Sequence, residues 1–202
     1  MLSILTWNCQ GAGKRKFPRL CRDFCRNNKP DLLVILEPRI SGKRADYVIK
    51  KLGFSNSHRV EARGFAGGIW LLWDESRVQV SILFNHPQFI HTRVSDLDHS
   101  FLFTAIYASP QECWRKFLWS NLAALASSIS EPWILGGDFN AVLSGLKRKN
   151  NFGRQGLANK LFLDSMADKN LLDLGFSGYK CTWKSGSKRA RLDRFIVTVL
   201  GG

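Results

Sequence analysis

Gly68-Ile69-Trp70-Leu71-Leu72-Trp73, Val78-Gln79-Val80-Ser81-Ile82-Leu83-Phe84, Phe89-Ile90-His91-Thr92-Arg93-Val94 and Phe101-Leu102-Phe103-Thr104-Ala105-Ile106-Tyr107 follow one another between residues 68 and 107. Each run is short, rich in β-branched and aromatic side chains, and separated from the next by turn signals such as Asp74-Glu75-Ser76 and Asp96-Leu97-Asp98. Strand after strand with tight turns between them reads as an antiparallel meander. Sheets, not a helical bundle, form the frame.

On either side the chain is mixed. Strand-like runs occupy residues 2–7, 31–36, 132–135 and 192–197, and apolar residues recur at helical spacing over 17–28, 45–52, 111–129 and 157–170. The last two helical stretches have apolar residues on one face and polar ones opposite, as expected where a helix lies on a sheet. This order predicts an α+β sandwich of two packed, mostly antiparallel sheets with helices over their outer faces. With 202 residues and 45% apolar content the chain can bury one substantial core, and no linker-like tract divides it. One domain over residues 1–202 is the expectation. Residues 64–68 and 145–156 are the most loop-like, and no internal repeat is present.

Lys and Arg number 30 against 16 Asp and Glu, a formal charge of +14, and the pI is near 10.0. Much of the excess lies in Lys14-Arg15-Lys16, Lys147-Arg148-Lys149 and residues 184–194. A single cluster is usually a solvated surface, but three in separate loops point to a polyanion, whose phosphates gain from neutralisation and counterion release. The five cysteines have no Cys-x-x-Cys spacing and the four histidines lie apart from them, so neither a disulfide framework nor a zinc site is indicated. A reducing intracellular compartment fits best. No signal-peptide pattern follows Met1, and no apolar stretch reaches membrane-spanning length.

Polar residues stand where apolar runs stop. Leu2-Ser3-Ile4-Leu5-Thr6-Trp7 ends at Asn8; Asp31-Leu32-Leu33-Val34-Ile35-Leu36 delivers Glu37 before Pro38 ends the strand; Trp133-Ile134-Leu135-Gly136-Gly137 leads to Asp138-Phe139-Asn140. Asp138 and Asn140, two apart in an extended segment, point the same way. Singly, Asn8 reads as a turn former, Glu37 as a rim charge, Asp138 as a cap and Tyr107 as an amphipathic core residue. Together they form a set of hard oxygen ligands and phosphate-orienting amides on several strand ends, as Mg²⁺-assisted phosphoryl transfer requires.

Five of these motifs, Thr6-Trp7-Asn8, Ile35-Leu36-Glu37, Ile106-Tyr107, Gly137-Asp138-Phe139-Asn140 and Arg191-Leu192-Asp193-Arg194-Phe195, come in the order found in the endonuclease/exonuclease/phosphatase superfamily. The chain most resembles the apurinic-type endonuclease domain of plant LINE (non-LTR) retrotransposons. Supporting details are Gly67-Gly68-Ile69-Trp70-Leu71-Leu72-Trp73 and Leu171-Leu172-Asp173-Leu174-Gly175-Phe176 followed by Cys181-Thr182-Trp183. The resemblance implies a DNase I-like four-layer α/β/β/α sandwich that nicks DNA. Glu37 would be the principal Mg²⁺ ligand, with Asn8 beside it, and Mn²⁺ would also suit these oxygens. Asp138 would orient the attacking water, and Asn140 and Tyr107 would hold the scissile phosphate. Asp193 would orient a histidine, as a triad's acid does. Lys14, Arg15, Lys147, Arg148, Lys149, Trp183, Lys184, Lys188 and Arg189 would meet DNA, with RNA a second polyanionic partner. A monomer, working in the nucleus and away from membranes, is the expectation.

The sequence departs from that pattern downstream of Asp193, where relatives carry Ser-Asp-His and then a last strand, and this sequence has only Ile196 and the residues to Gly202. None of His58, His86, His91 or His99 takes the place; Asp98-His99 sits in the turn between two meander strands. The expectations are a C-terminally incomplete domain, an Asp193 paired with Arg191, Arg194 or a lysine, an unpaired strand edge, and weak or absent cleavage. The other readings are a non-catalytic basic nucleic-acid-binding remnant and, behind it, a phosphatase of the same superfamily.

Overall fold

A computed structural model describes residues 2–64, 66–141 and 171–198. Two sheets pack face to face. The first contains β1 (Ile4–Asn8), β2 (Leu32–Leu36), β3 (Asn56–Val60) and β4 (Ile69–Trp73) in the order β1-β2-β4-β3. The second contains β5 (Gln79–His86), β6 (Phe89–Ser95), β7 (Ser100–Tyr107), β8 (Trp133–Asp138), β9 (Leu171–Asp173) and β12 (Asp193–Thr198) in the order β5-β6-β7-β8-β12-β9. A small hairpin, β10 (Trp183–Ser185) with β11 (Lys188–Ala190), stands beside them.

The helices among the described residues are α1 (Phe17–Asn28), α2 (Gly42–Lys50) and α3 (Glu112–Ser128). α1 begins with Pro18 in its first turn, where a missing N–H goes unnoticed, and ends where Lys29 turns left-handed at φ 46 before Pro30. α1 bridges the parallel pair β1 and β2, and α3 bridges the parallel pair β7 and β8, as parallel neighbours require a crossover. The other strand pairs are antiparallel.

Side-chain alternation builds the layers. On β2 and β4, Leu32, Val34, Leu36, Ile69 and Leu71 face the second sheet, while Leu33, Ile35, Trp70 and Leu72 face α1 and α2. On β7, Phe103, Ala105 and Tyr107 face the first sheet, whereas Leu102 and Ile106 pack with Leu118, Trp119 and Leu122 of α3. Strands covered on both faces are apolar throughout, so they read as continuous runs. Each fully buried Leu or Ile contributes about 2 kcal/mol relative to exposure. The result is the four-layer α/β/β/α sandwich of DNase I-like proteins, as the sequence implies.

Two assignments change. The meander is split: β4 leaves β5, β6 and β7 to pair with β2 and β3, because Asp74 and Arg77 turn the chain from one sheet into the other. β3, from Asn56-Ser57-His58-Arg59-Val60, has too few apolar residues to announce itself. The helix expected at 157–170, the loop at 145–156 and the Lys147-Arg148-Lys149 cluster lie outside the described residues. Among the described residues β1 pairs on one side only, with β2.

Candidate active site

β1 ends at Asn8, β2 hands over to Glu37, β7 ends at Tyr107 and β8 ends at Asp138. In register, Asn8 lies beside Leu36, Tyr107 beside Asp138, and Asp193, which opens the antiparallel β12, beside Asp138. All five therefore gather at one end of the sandwich. Two hydrogen bonds close that mouth from sheet to sheet: Asn8 Nδ2 donates to Asp138 Oδ2 at 2.9 Å, and the Tyr107 hydroxyl donates to Glu37 Oε1 at 2.7 Å.

Glycines permit the approach. Gly137 has φ +140, and a Cβ there would meet Ile106 O at 2.1 Å, so β7 and β8 pair beside the carboxylate only without a side chain. Gly68, at φ +92, lets Pro38 lie where a Cβ would come within 2.9 Å of its Cγ. Glu37 N and Arg39 N donate to Gly68 O and Gly67 O, both at 3.2 Å. Glu37 and Arg39 are themselves left-handed, at φ 51 and 56, a conformation uncommon outside glycine that clusters at functional sites.

Asp138 is 5% exposed, and both oxygens are occupied, Oδ1 by Asn140 N at 2.8 Å and Oδ2 by Asn8. Burial, and next the charge of Asp193, push its carboxyl up to about 6, against the two hydrogen bonds. Burial also raises Asp193, with the Thr182 hydroxyl pulling the other way. Tyr107 is pushed up by burial and by Glu37, so it stays a neutral donor. Asn140, at φ 44, gives an amide hydrogen to Ala108 O at 2.7 Å. The Cys9 thiol, raised to about 11 by burial, is no nucleophile at neutral pH.

Two residues have partners that the sequence reading did not assign. Arg39 donates from Nε to Glu37 Oε2 at 2.9 Å and also pairs with that oxygen through Nη2. Its signal was a cation two residues beyond Glu37. Thr182 Oγ1 accepts from Leu192 N at 3.0 Å and Asp193 N at 3.2 Å, and its hydroxyl bonds the Asp193 carboxylate. That corrects the expected pairing of Asp193, because Arg191 and Arg194 both turn to Asp173.

No histidine reaches the mouth. His58 bonds Asn85, His86 stacks on Phe89, His91 bonds Thr104, and His99 sits with Asp96 in the β6–β7 turn. Asp96, Asp98 and His99 lie close enough to hold a metal ion, but Asp96 Oδ1 already accepts from Asp98 N and His99 N, which makes it a turn cap.

Lys14 and Arg15 are exposed on the connection leaving Asn8. Trp183 is 39% exposed, Lys184 and Arg189 are exposed, and Lys188 begins β11. Thr182 N donates to Ala190 O at 3.0 Å within this hairpin, and Thr182 Oγ1, accepting from Leu192 N and Asp193 N, holds it beside Asp193.

A DNase I-like sandwich with a polar mouth of this kind defines a broad class. Within it, the endonuclease/exonuclease/phosphatase family matches residues 5–200, and the chain belongs to that family. Comparison with curated protein sequences gives no match. Among solved structures it is similar to the endonuclease domain of TRAS1, a telomere-specific non-LTR retrotransposon, at 14% identity and TM-score 0.71, covering 98% of this chain and 84% of that one. It is also similar to an AP endonuclease from Archaeoglobus fulgidus, at 15% identity and TM-score 0.69, covering 98% and 87%. The 3′ phosphatase NExo from Neisseria, bound to a product DNA hairpin, matches at 16% identity and TM-score 0.69, covering 98% and 87%.

Proposed function

We propose that this chain is a retrotransposon-derived, divalent-metal-dependent phosphodiesterase that nicks DNA and does so weakly. The observation that carries the reading is Asn8 Oδ1, a buried oxygen with no hydrogen-bond partner, held by its own Nδ2 against Asp138 in a mouth that also contains Glu37. A buried unpaired acceptor is costly unless something fills it, and a cation suits an acceptor among carboxylates. Glu37 and Asn8 would hold Mg²⁺ or Mn²⁺. When bound, the ion would neutralise charge on the phosphate and the departing oxygen.

The protein's own groups do the rest. Asp138, ionised above about pH 6, accepts a hydrogen bond from water in line with the phosphate. Tyr107, kept neutral, and the second N–H of the Asn140 amide, which has no partner among the described residues, donate to phosphate oxygens. Lys184, Arg189, Lys14 and Arg15 bring the polyanion to this face, and Trp183 offers a surface for stacking.

Asp193 has Thr182 as its hydrogen-bond partner, and among the described residues no imidazole stands in the mouth to share proton transfer with Asp138, whose own carboxyl is raised to about 6. A missing general acid or base lowers rate by about 10² to 10⁴. The expected result with supercoiled plasmid in Mg²⁺ is slow nicking, stopped by EDTA and by Glu37→Gln. Nicking unaffected by Glu37→Gln would overturn the site, and a rate equal to that of a histidine-bearing relative would overturn the impairment. Asp193 partnered by Thr182, with no imidazole beside it among the described residues, favours one second reading, a non-catalytic DNA-binding remnant. It predicts metal-independent binding with a steep salt dependence and no nicking.

A further inference from the structure

Resting on the metal site just proposed, we infer that Arg39 is an exchangeable counter-ion for Glu37: its guanidinium neutralises the carboxylate in the free protein, leaves it when a divalent cation binds, and turns to a phosphate of the substrate. The starting point is occupancy. Glu37 Oε1 accepts from the Tyr107 hydroxyl at 2.7 Å, and Oε2 takes the Arg39 guanidinium through Nε at 2.9 Å and through Nη2. Glu37 thus has one oxygen devoted to the second sheet and one devoted to a cation.

That pairing differs from an ordinary surface ion pair in three respects. The Glu37 side chain is only 11% exposed, so its charge needs compensation, and removing the partner of a buried charge is strongly destabilising. The same pocket holds the unpartnered Asn8 Oδ1, which Arg39 does not satisfy. And the short span from Glu37 to Arg39 is bent through two left-handed residues around Pro38, with both amides held by the Gly67-Gly68 backbone. With the backbone held in this bend, the guanidinium lies on the carboxylate two residues earlier.

The two halves of the pair differ in freedom. The Arg39 backbone is fixed by Gly67 O, but its side chain is 43% exposed and can swing into solvent without disturbing the core. Glu37 is buried and stays. A divalent cation and the guanidinium compete for Oε2, and arginine cannot leave by giving up its proton, so exchange means movement of the side chain. Once free, a guanidinium suits two oxygens of a phosphate, a geometry that lysine's point charge does not reproduce. Arg39 would therefore keep the site neutral until the ion arrives and then add a donor on the substrate side.

Ion binding is measured on the free 202-residue protein without DNA. In ¹H–¹⁵N spectra of the arginine side chains, the Arg39 Nε–H should be protected from exchange in EDTA and should shift and lose protection on saturation with Mg²⁺. In parallel, calorimetry with Mn²⁺ should show Arg39→Met binding the ion more tightly, on the order of tenfold, with Arg39→Lys in between. In plasmid nicking, Arg39→Met should be slower despite its tighter ion binding. An Arg39 resonance unchanged by an ion that Glu37→Gln shows to be bound at Glu37 would overturn this inference alone. So would unchanged or weaker Mn²⁺ binding by a folded Arg39→Met protein. If Glu37→Gln has no effect on ion binding, the metal-site reading falls and the inference falls with it.

Discussion

Asp138→Asn should make the protein more stable at neutral pH while abolishing its chemistry. The wild-type carboxyl is buried beside Asp193 and Glu37, and these effects lift it from 3.8 to about 6. The folded protein therefore holds this proton up to about pH 6, whereas the unfolded chain releases it near 3.8. Between those values the native state binds more protons than the unfolded state, so stability falls as pH rises through the window. The gap from 3.8 to about 6, at about 1.4 kcal/mol per pH unit, amounts to about 3 kcal/mol of destabilisation, complete above the upper value and absent below the lower one. Asparagine keeps the shape and can still accept from Asn140 N, which lies 2.8 Å from Oδ1. Its new amide faces Asn8 Nδ2, and the clash resolves if the Asn8 amide turns over and presents its unpartnered oxygen. Allowing about 1 kcal/mol for exchanging charged hydrogen bonds for neutral ones, the variant should gain about 2 kcal/mol at pH 7.5 and change by less than about 1 kcal/mol at pH 4, where the folded carboxyl is already neutral. Urea unfolding in EDTA at the two pH values measures the difference. A change in stability of the same sign and size at both would mean that the Asp138 carboxyl does not carry a raised pKa in the folded protein.

Gly137→Ala, whose Cβ would meet Ile106 O at 2.1 Å, should separate β7 from β8 and cost about 3 kcal/mol or more; a thermal melt like that of the wild type would contradict this. Residual nicking should have an acid limb near pH 6, set by the raised Asp138, so a profile flat from pH 5 to 8 would remove Asp138 from the reaction. Lys184→Ala and Arg189→Ala, both on the exposed hairpin, should each reduce the slope of log Kd against log salt for DNA by about one. An unchanged slope would place the DNA elsewhere.

The layers were legible because β2 and β4 are apolar on both faces and α1 carries its own stop in Lys29-Pro30. Strand membership was not. The run at Ile69–Trp73 looks like the next strand in line after any turn, and only packing against Leu32, Val34 and Leu36 assigns it to the first sheet. Asn56-Ser57-His58-Arg59-Val60 becomes a strand because β4 offers it an edge, which no local propensity encodes. In the mouth, Asn8, Glu37, Tyr107 and Asp138 were visible as polar residues at the ends of apolar runs and Asp193 only through the family resemblance of its motif, and their convergence follows from strand register. The contacts of Arg39 and Thr182 were not legible for a different reason. Their partners are decided by a backbone bend at Pro38 and by a hairpin that docks beside Asp193, both tertiary events.

The most direct test of the account is a crystal of the protein soaked in Mn²⁺ and measured at the manganese absorption edge. An anomalous peak is expected about 2.2 Å from the Glu37 carboxylate and from Asn8 Oδ1, with the Arg39 guanidinium moved off Glu37. A peak only at the Asp96, Asp98 and His99 turn, or none at millimolar Mn²⁺ with Arg39 still on Glu37, would contradict it.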